Sequence, residues 1–144
     1  MIITYTPNGQ EPQRFEFDGD DVRAKDAEQI EEKSGVPWQS FSLAVLQGSI
    51  RPRRVLLWYL LRQKHGTLRL DDVDFTSKEL KVEFTVKEYK EFRETVVRNS
   101  GRIPDSKRDD VLALVDAEIA KAEAEEAESA QGKAHSEISD ASTA

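Results

Sequence analysis

The chain has 144 residues, of which 38% are apolar and 34% charged, and it contains no cysteine. This length fits one domain with a tail, and the lack of cysteine excludes disulfide scaffolds, Cys-based zinc sites and thiol nucleophiles. The net charge of −7 is concentrated near the end, because residues 116–144 contain eight acidic and two basic residues while residues 1–115 are nearly neutral. A folded mimic of nucleic acid is therefore disfavoured, since it would carry negative charge over its whole surface.

The N-terminal residues predict a β-hairpin. Apolar and polar residues alternate over 3–6 and again over 14–17, with Pro7-Asn8-Gly9-Gln10 between them. Asn-Gly between alternating runs is typical of a type I′ turn, which needs positive φ at both central residues. We expect two antiparallel strands within residues 2–17.

Three helices are expected next. The first spans about 18–33 and ends at Gly35, where glycine tolerates a left-handed conformation. The second begins at Pro37, and the third spans about 52–64. The third helix contains the apolar run 55–61. A helix that is apolar nearly all round is buried on most sides, so this one is expected at the centre of the fold.

The following residues predict one more strand and a capped helix. Residues 67–80 fit a short strand and a helical turn equally well, so their structure stays open. Residues 81–85 alternate and indicate a third strand. Thr85 and Glu88 have the spacing of a capping box, which opens a helix that is expected to end near Asn99 or Gly101.

The C-terminal part is expected to begin as a helix and to end as a disordered tail. A helix starting near Asp105 carries three apolar residues at helical spacing, Val111, Val115 and Ile119. Beyond residue 120 the chain is rich in Ala, Glu and Ser, with too little apolar surface to offset the entropy of ordering. We therefore expect one α+β domain over 1–120, an N-terminal hairpin packed with four to five helices, and a largely disordered acidic tail over 121–144.

The sequence does not indicate an enzyme, a cofactor or a metal site. Glycine-rich phosphate loops and nucleophile elbows are missing, and His65 and His135 are too far apart to be expected to meet. The aspartates at 71, 72 and 74 lack the spacing of a calcium loop, so a turn or a helix cap is their expected role. The longest apolar run has seven residues, against about 20 for a membrane span. The first residues lack the features of a secretory signal, which favours the cytoplasm.

Five basic residues make the third helix locally basic: Arg51, Arg53, Arg54, Arg62 and Lys64. Two interpretations stay open. The helix could bind an anionic partner, or the arginine stems could cover a buried helix while their guanidinium groups reach water or Asp71 and Asp72. Nucleic acid is not indicated, because interleaved exposed aromatics and overall positive charge are missing.

Three stretches in this order carry a family resemblance. They are Met1-Ile-Ile-Thr-Tyr-Thr-Pro-Asn-Gly through Arg14-Phe-Glu-Phe-Asp18, Arg53-Arg54-Val-Leu-Leu-Trp-Tyr-Leu-Leu-Arg62, and Thr67-Leu-Arg-Leu-Asp-Asp-Val-Asp-Phe75. Together they resemble tail assembly chaperones of tailed, siphovirus-like phages of actinobacteria. The similarity spans roughly residues 1–98, and its motifs are moderately specific.

The resemblance implies a non-enzymatic role in the host cytoplasm. Proteins of this family bind the tape-measure protein, prevent its aggregation, help to recruit the tail tube protein, and are absent from the mature virion. Self-association is a further expected interaction. A binding surface of apolar residues framed by charge is hypothesised from six residues: Trp38, Phe41, Arg53, Arg54, Trp58 and Arg62. For each aromatic member of this set, ordinary core packing is the favoured interpretation.

The family also often makes a longer product by a programmed ribosomal frameshift. Gln131, Gly132 and Lys133, if encoded CAG GGA AAG, contain the slippery heptamer GGGAAAG, so a frameshift junction is hypothesised here. Two other functions remain open. One is a structural virion component, such as a head-tail connector or tail accessory protein, and the other is a small adaptor of host proteins.

Overall fold

The computed structural model describes residues 1–102 and 104–141. Over these residues the chain is α+β, as predicted, with a three-stranded antiparallel sheet and five α-helices. It divides into two compact units, one covering residues 1–84 and one beginning at Thr85. The helices after Thr85 pair with each other.

The first unit opens with the predicted hairpin, which is confirmed. Strand β1 (Ile2–Tyr5) pairs antiparallel with β2 (Gln13–Glu16) on one edge and with β3 (Leu80–Glu83) on the other. The third strand expected near residues 81–85 is therefore also confirmed. Because β1 is central, its Ile3 is fully buried.

The hairpin turn has one residue with positive φ, not two. The N–H of Gln10 donates to the carbonyl of Pro7 at 3.0 Å, and Gly9 has a φ of 74°. None of the described non-glycine residues has positive φ. The expected type I′ turn is therefore wrong, and the pattern matches a type II turn, which requires positive φ only at its third residue. A loop longer than two residues does not need the type I′ geometry.

Helix α1 (Ala24–Ser34) begins later than expected. The carboxylate of Asp18 accepts from the N–H of Asp20 at 3.0 Å and so caps a 3-10 turn, Gly19–Asp21, that precedes the helix. At the other end, Gly35 has a φ of 69°, which confirms the predicted left-handed C-terminal residue.

Helix α3 lies at the centre of the first unit, as predicted. Helix α2 (Trp38–Leu46) follows Pro37 and leads into α3 (Ile50–Arg62). Five residues of the apolar run are buried: Val55, Leu56, Leu57, Trp58 and Leu60. The ring of Tyr59 meets that of Phe17 edge to face, with centroids 6.1 Å apart, and this contact joins the hairpin to the helix.

Residues 67–79 form neither a strand nor an α-helix. Their regular part is one 3-10 turn, Leu70–Asp72. The N–H of Arg69 donates to the carboxylate of Asp72 at 3.3 Å, which caps this turn. Buried Val73 follows the turn. The apolar residues of this segment are therefore spaced as they are because a loop contacts the core there, and not because the segment is a strand or an α-helix.

The second unit is a pair of helices, α4 (Val86–Arg98) and α5 (Asp105–Ala141). The predicted capping box is confirmed, because Glu88 N–H donates to Thr85 Oγ1 at 3.2 Å and Thr85 N–H donates to Glu88 Oε2 at 2.8 Å. Three of the unit's apolar residues are buried: Tyr89, Val96 and Val115. Two ion pairs join the helices, Arg93 with Asp116 at 2.7 Å and Lys90 with Glu123 at 3.0 Å.

Helix α5 continues through much of the segment for which disorder is expected. Its 37 residues correspond to a length of about 56 Å. The described side chains from residue 121 to 133 are nearly all exposed, as the expectation of little burial implies. Ala, Glu and Lys, however, have the highest intrinsic helix propensities, so the backbone becomes helical without tertiary burial. Residues 142–144 of the predicted tail lie outside the described residues.

No helix within 1–102 and 104–141 combines the length and the apolar character needed to cross a membrane. Helix α5 has the length, but charged residues recur along it.

Truncation after Glu125 tests whether the end of α5 stabilises the rest of the chain. The described side chains of residues 126–133 are exposed, so we expect the free energy of unfolding to change by less than about 0.5 kcal/mol. Urea unfolding followed by circular dichroism measures this change. A truncation after Leu114, which removes the buried Val115, is the control and should disrupt the helix pair. A loss of stability well above that limit in the first truncation would contradict the prediction.

Tyr89 should lose its proton at a higher pH than an ordinary tyrosine. Its ring is buried, and its hydroxyl donates to Glu118 Oε2 at 3.4 Å. Burial first, and then the negative charge of Glu118, raise the pKa of Tyr89 to about 12. Between pH 10 and pH 12 the unfolded chain releases this proton and the folded chain does not, so the folded state loses stability as pH rises. In a titration of phenolate absorbance, Tyr89→Phe should remove the last step; an unchanged last step would contradict this assignment.

Candidate functional site

The aromatic residues predicted to bind a partner lie mainly in the core. Phe41 is fully buried, and Trp58 is only 3% exposed. Trp38 is half-buried and stacks on Phe41, with ring centroids 5.8 Å apart and planes at 11°. A partner that binds the folded chain cannot contact Phe41 directly, so the core interpretation holds for this residue.

The predicted arginines each bind backbone carbonyl groups. Arg53 Nε donates to Val45 O at 3.0 Å, and Arg62 Nε donates to Gly66 O at 3.4 Å. Arg54 makes two such bonds, from Nε to Val73 O at 2.7 Å and from Nη2 to Leu70 O at 2.8 Å. These bonds hold neighbouring segments against α3, and because carbonyl oxygens are neutral they do not balance the positive charges. Of the three arginines, Arg54 also lies 4.0 Å from Asp71.

Two cations meet at one indole ring. The Nζ of Lys33 and the guanidinium carbon of Arg62 each lie 5.0 Å from the ring centroid of Trp58. The indole nitrogen of Trp58 donates to Leu68 O at 3.0 Å, which fixes the ring between α3 and the following loop. Arg62 also donates to Gln29 Oε1 at 3.1 Å, so α1 and α3 are joined at this place. The ring thus positions two positive charges near each other.

A cleft of about 560 Å³ opens beside these groups, and we call it the Trp58 cleft. It is lined by α1, by the end of α3 and by the following loop, specifically by Gln29, Glu32, Lys33, Trp58, Arg62 and residues 66–71. Its charged lining comprises three cations, Lys33, Arg62 and Arg69, and two carboxylates, Glu32 and Asp71. Within the part of the chain that the structure describes, neither Lys33 nor Arg62 forms a salt bridge.

The structure divides the six predicted residues between two places. Trp58 and Arg62 line the Trp58 cleft, and Arg54 binds the loop that forms one of its walls. Trp38 and Phe41 belong to α2, and Arg53 binds the carbonyl of Val45 near the end of that helix. The side chains of Gln131, Gly132 and Lys133 are exposed on α5.

Lys33 and Arg69 are cleft residues that the sequence interpretation did not include. One signal could have found them. From Lys33 through Leu70 the chain has no Asp or Glu, although it has seven Lys and Arg residues. The five basic residues singled out in the sequence lie in or next to the third helix, whereas the acid-free stretch begins in α1 and ends in the loop after α3.

The aspartates of residues 71–74 act mainly on local backbone. Asp72 caps the 3-10 turn, and Asp74 Oδ1 accepts from the N–H of Phe75 at 3.0 Å. The interpretation as turn and cap residues is confirmed for these two. Asp71 lies 4.0 Å from Arg54 and is 93% exposed. Among the described residues, no group of three or more His, Asp or Glu side chains could hold a metal ion.

Arg54→Lys should destabilise the chain, because a lysine cannot reproduce the two bonds of a guanidinium to Leu70 O and Val73 O. We expect a loss of about 1–2 kcal/mol, since the side chain is about one third exposed. The measurement is urea unfolding. Arg23→Lys, at an exposed position before α1, is the matched control and should change stability by less than about 0.5 kcal/mol. Equal effects of the two substitutions would contradict a specific role for Arg54.

Comparisons with known proteins gave no match. No protein-family model, no curated protein and no solved structure is significantly similar to this chain.

Proposed function

We propose that this chain is a phage tail assembly chaperone, a non-enzymatic protein that binds the tape-measure protein in the host cytoplasm and assists assembly of the tail tube. Two observations support the proposal. One is the resemblance carried by residues 1–18, 53–62 and 67–75. The other, which carries the structural part of the proposal, is the Trp58 cleft with two cations that have no salt-bridge partner among the described residues.

The Trp58 cleft suits a helical client with carboxylates next to apolar side chains. Trp58 itself is too buried to offer much contact, but it holds Lys33 and Arg62 in place. Both side chains are half-buried, so their aliphatic stems can cover apolar groups of a client while their charges meet its carboxylates. Positioned charges of this kind favour particular partners and speed their association.

The acidic second half of α5 fits the same function in a different way. Negative charge keeps a protein that exposes a binding surface soluble and repels unsuitable partners. A longer product made by a frameshift at Gln131 to Lys133 is part of the proposal and would extend the chain from this exposed helix.

Co-expression with the tape-measure protein encoded nearby tests the proposal. We expect a soluble complex that is recovered by pull-down through either protein. Lys33→Met combined with Arg62→Met removes both charges and retains unbranched side chains. This double variant should bind at least about tenfold more weakly, which corresponds to about 1.4 kcal/mol. The matched control is Arg23→Met combined with Lys25→Met, which removes two exposed charges near the start of α1 and should leave binding unchanged.

The proposal is contradicted if the tape-measure protein stays insoluble and this chain does not bind it. This result must hold both for this chain alone and when the frameshifted product is co-expressed. Detection of the chain in purified virions would instead favour a structural component such as a connector. Recovery of host proteins without the tape-measure protein would favour an adaptor.

A further inference from the structure

Residues 34–50 form the longest stretch of the chain without a charged residue. The whole chain is 34% charged, yet Asp, Glu, Lys, Arg and His are all missing from this stretch. It contains α2 and the turn that leads into α3. Depletion of charge is typical of the core of a protein interface, because a charge that is buried without a partner costs free energy.

The outer side of α2 combines partly exposed apolar residues with uncharged polar ones. Phe41 is fully buried on the inner side of the helix. Leu43 and Leu46 follow it by two and five positions, which places them on the opposite side, where they are partly exposed. Ile50, just after the turn, is 62% exposed, the largest value among the exposed large apolar residues of the described chain. With two exposed glutamines these residues form a surface that we call the α2 face: Gln39, Leu43, Leu46, Gln47 and Ile50.

The backbone at the end of the α2 face is held in one geometry. The N–H of Ser49 donates to Ala44 O at 3.0 Å, and the N–H of Gly48 donates to Val45 O at 3.1 Å. This pair of bonds is a Schellman motif, whose left-handed residue is Gly48 with a φ of 83°. Arg53 Nε binds the same Val45 O from α3. A surface that is already fixed loses little conformational entropy when a partner binds.

The α2 face has positive charge at one end. Arg51 is exposed and donates from Nε to Lys33 O at 2.7 Å, and Arg53 is half-buried. Among the described residues neither arginine forms a salt bridge. A carboxylate lies at the opposite end of α2, where Glu31 Oε2 accepts from the N–H of Trp38 at 2.8 Å. The complementary partner therefore carries its carboxylates at the end of α2 where the arginines lie.

We propose that the α2 face binds an amphipathic helix of another protein, one with an aliphatic stripe and with carboxylates that face Arg51 and Arg53. A helix fits because Leu43 and Leu46, three positions apart, form a ridge of the kind that packs into the groove of a second helix. A lipid surface does not fit, because helices that lie on membranes carry cations along their polar face and α2 carries none. The α2 face is distinct from the Trp58 cleft, so this inference holds or fails independently of the tape-measure protein.

A synthetic peptide titrated into the isotope-labelled full-length chain tests the proposal. The probe has about 18 residues, long enough to form a helix, with leucines at i, i+4, i+7 and i+11 and glutamates along one flank. We expect saturable binding with a Kd below about 1 mM, measured by NMR. The amide signals that shift should be those of residues 38–51 and not those of the cleft loop 66–71. Absence of saturable binding, or shifts at the cleft loop alone, overturns the proposal.

Substitutions on the α2 face test which surface the peptide covers. Gln39→Glu with Gln47→Glu adds charge at two exposed positions without changing side-chain size, so the fold should be retained. This variant, and separately Ile50→Gln, should bind the peptide at least about tenfold more weakly, because the new polar groups would be buried against leucines. The matched control is Val97→Gln with Leu114→Gln, which removes two apolar residues that are each 48% exposed, and it should bind like the unmodified chain. Unchanged binding in both α2 variants, or an equal loss in the control, overturns the proposal.

A second peptide, with lysines in place of the glutamates, tests the charge of the partner. It should bind several-fold more weakly than the first peptide, and Arg51→Gln should reduce this difference. Equal binding of the two peptides to the unmodified chain overturns the acidic character of the partner. Binding of the chain to lipid vesicles, or association with itself, that is lost in Gln39→Glu with Gln47→Glu while the peptide does not bind would assign the α2 face to a different occupant and overturn the proposal.

Discussion

The apolar run 55–61 has to be covered on nearly every side of its helix, and the arrangement of the first unit follows from this requirement. Helices α1 and α2, the loop after α3 and the ring of Phe17 after β2 contact this helix. Ile3, Ile30 and Phe41 are fully buried in the same unit. A helix this apolar has few positions left for polar residues. Its arginines therefore occur near its two ends, where their stems extend the apolar surface and their guanidinium groups reach the carbonyls of the covering segments.

That use of arginine has an electrostatic consequence. Carbonyl oxygens satisfy the hydrogen bonds of a guanidinium group, but they do not neutralise its charge. The same feature that holds the covering segments thus leaves positive charge near α3, and Trp58 places Lys33 and Arg62 close together. The Trp58 cleft is in this sense a by-product of how the core is closed. It becomes a candidate binding site because the chain between Lys33 and Leu70 contains no acidic residue.

The second unit has the opposite electrostatic character at its end. The helix pair is held by a short apolar contact around Val96 and Val115 and by ion pairs such as Arg93 with Asp116. Past Glu123 the helix continues with three exposed glutamates, Glu125, Glu126 and Glu128, that form no salt bridge with the described residues. Positive charge in the first unit provides a physical basis for binding acidic helices of a client.

The sequence by itself determined the features that depend on residues a few positions apart. The capping box of Thr85 and Glu88, the left-handed Gly35 and the hairpin before residue 17 are of this kind, because the groups that interact are neighbours along the chain. The apolar run 55–61 also identified the central helix, since a helix that is apolar nearly all round is buried on most sides. The tail shows the limit of such reasoning. Composition correctly indicated little burial, but local propensity and not burial decides whether an exposed backbone becomes helical.

Only the tertiary structure decided where the charged side chains meet. Lys33, Arg62 and Arg69 come from α1, from the end of α3 and from the loop after it, and their convergence depends on how the chain folds back between them. The capped turn in residues 67–79 was undecided in the sequence for the same reason, because its backbone is fixed by Arg54 across 16 to 19 residues of chain. Local patterns could not choose between the two roles of the arginines. That choice depends on which carbonyl groups the folded chain brings within reach of each guanidinium group.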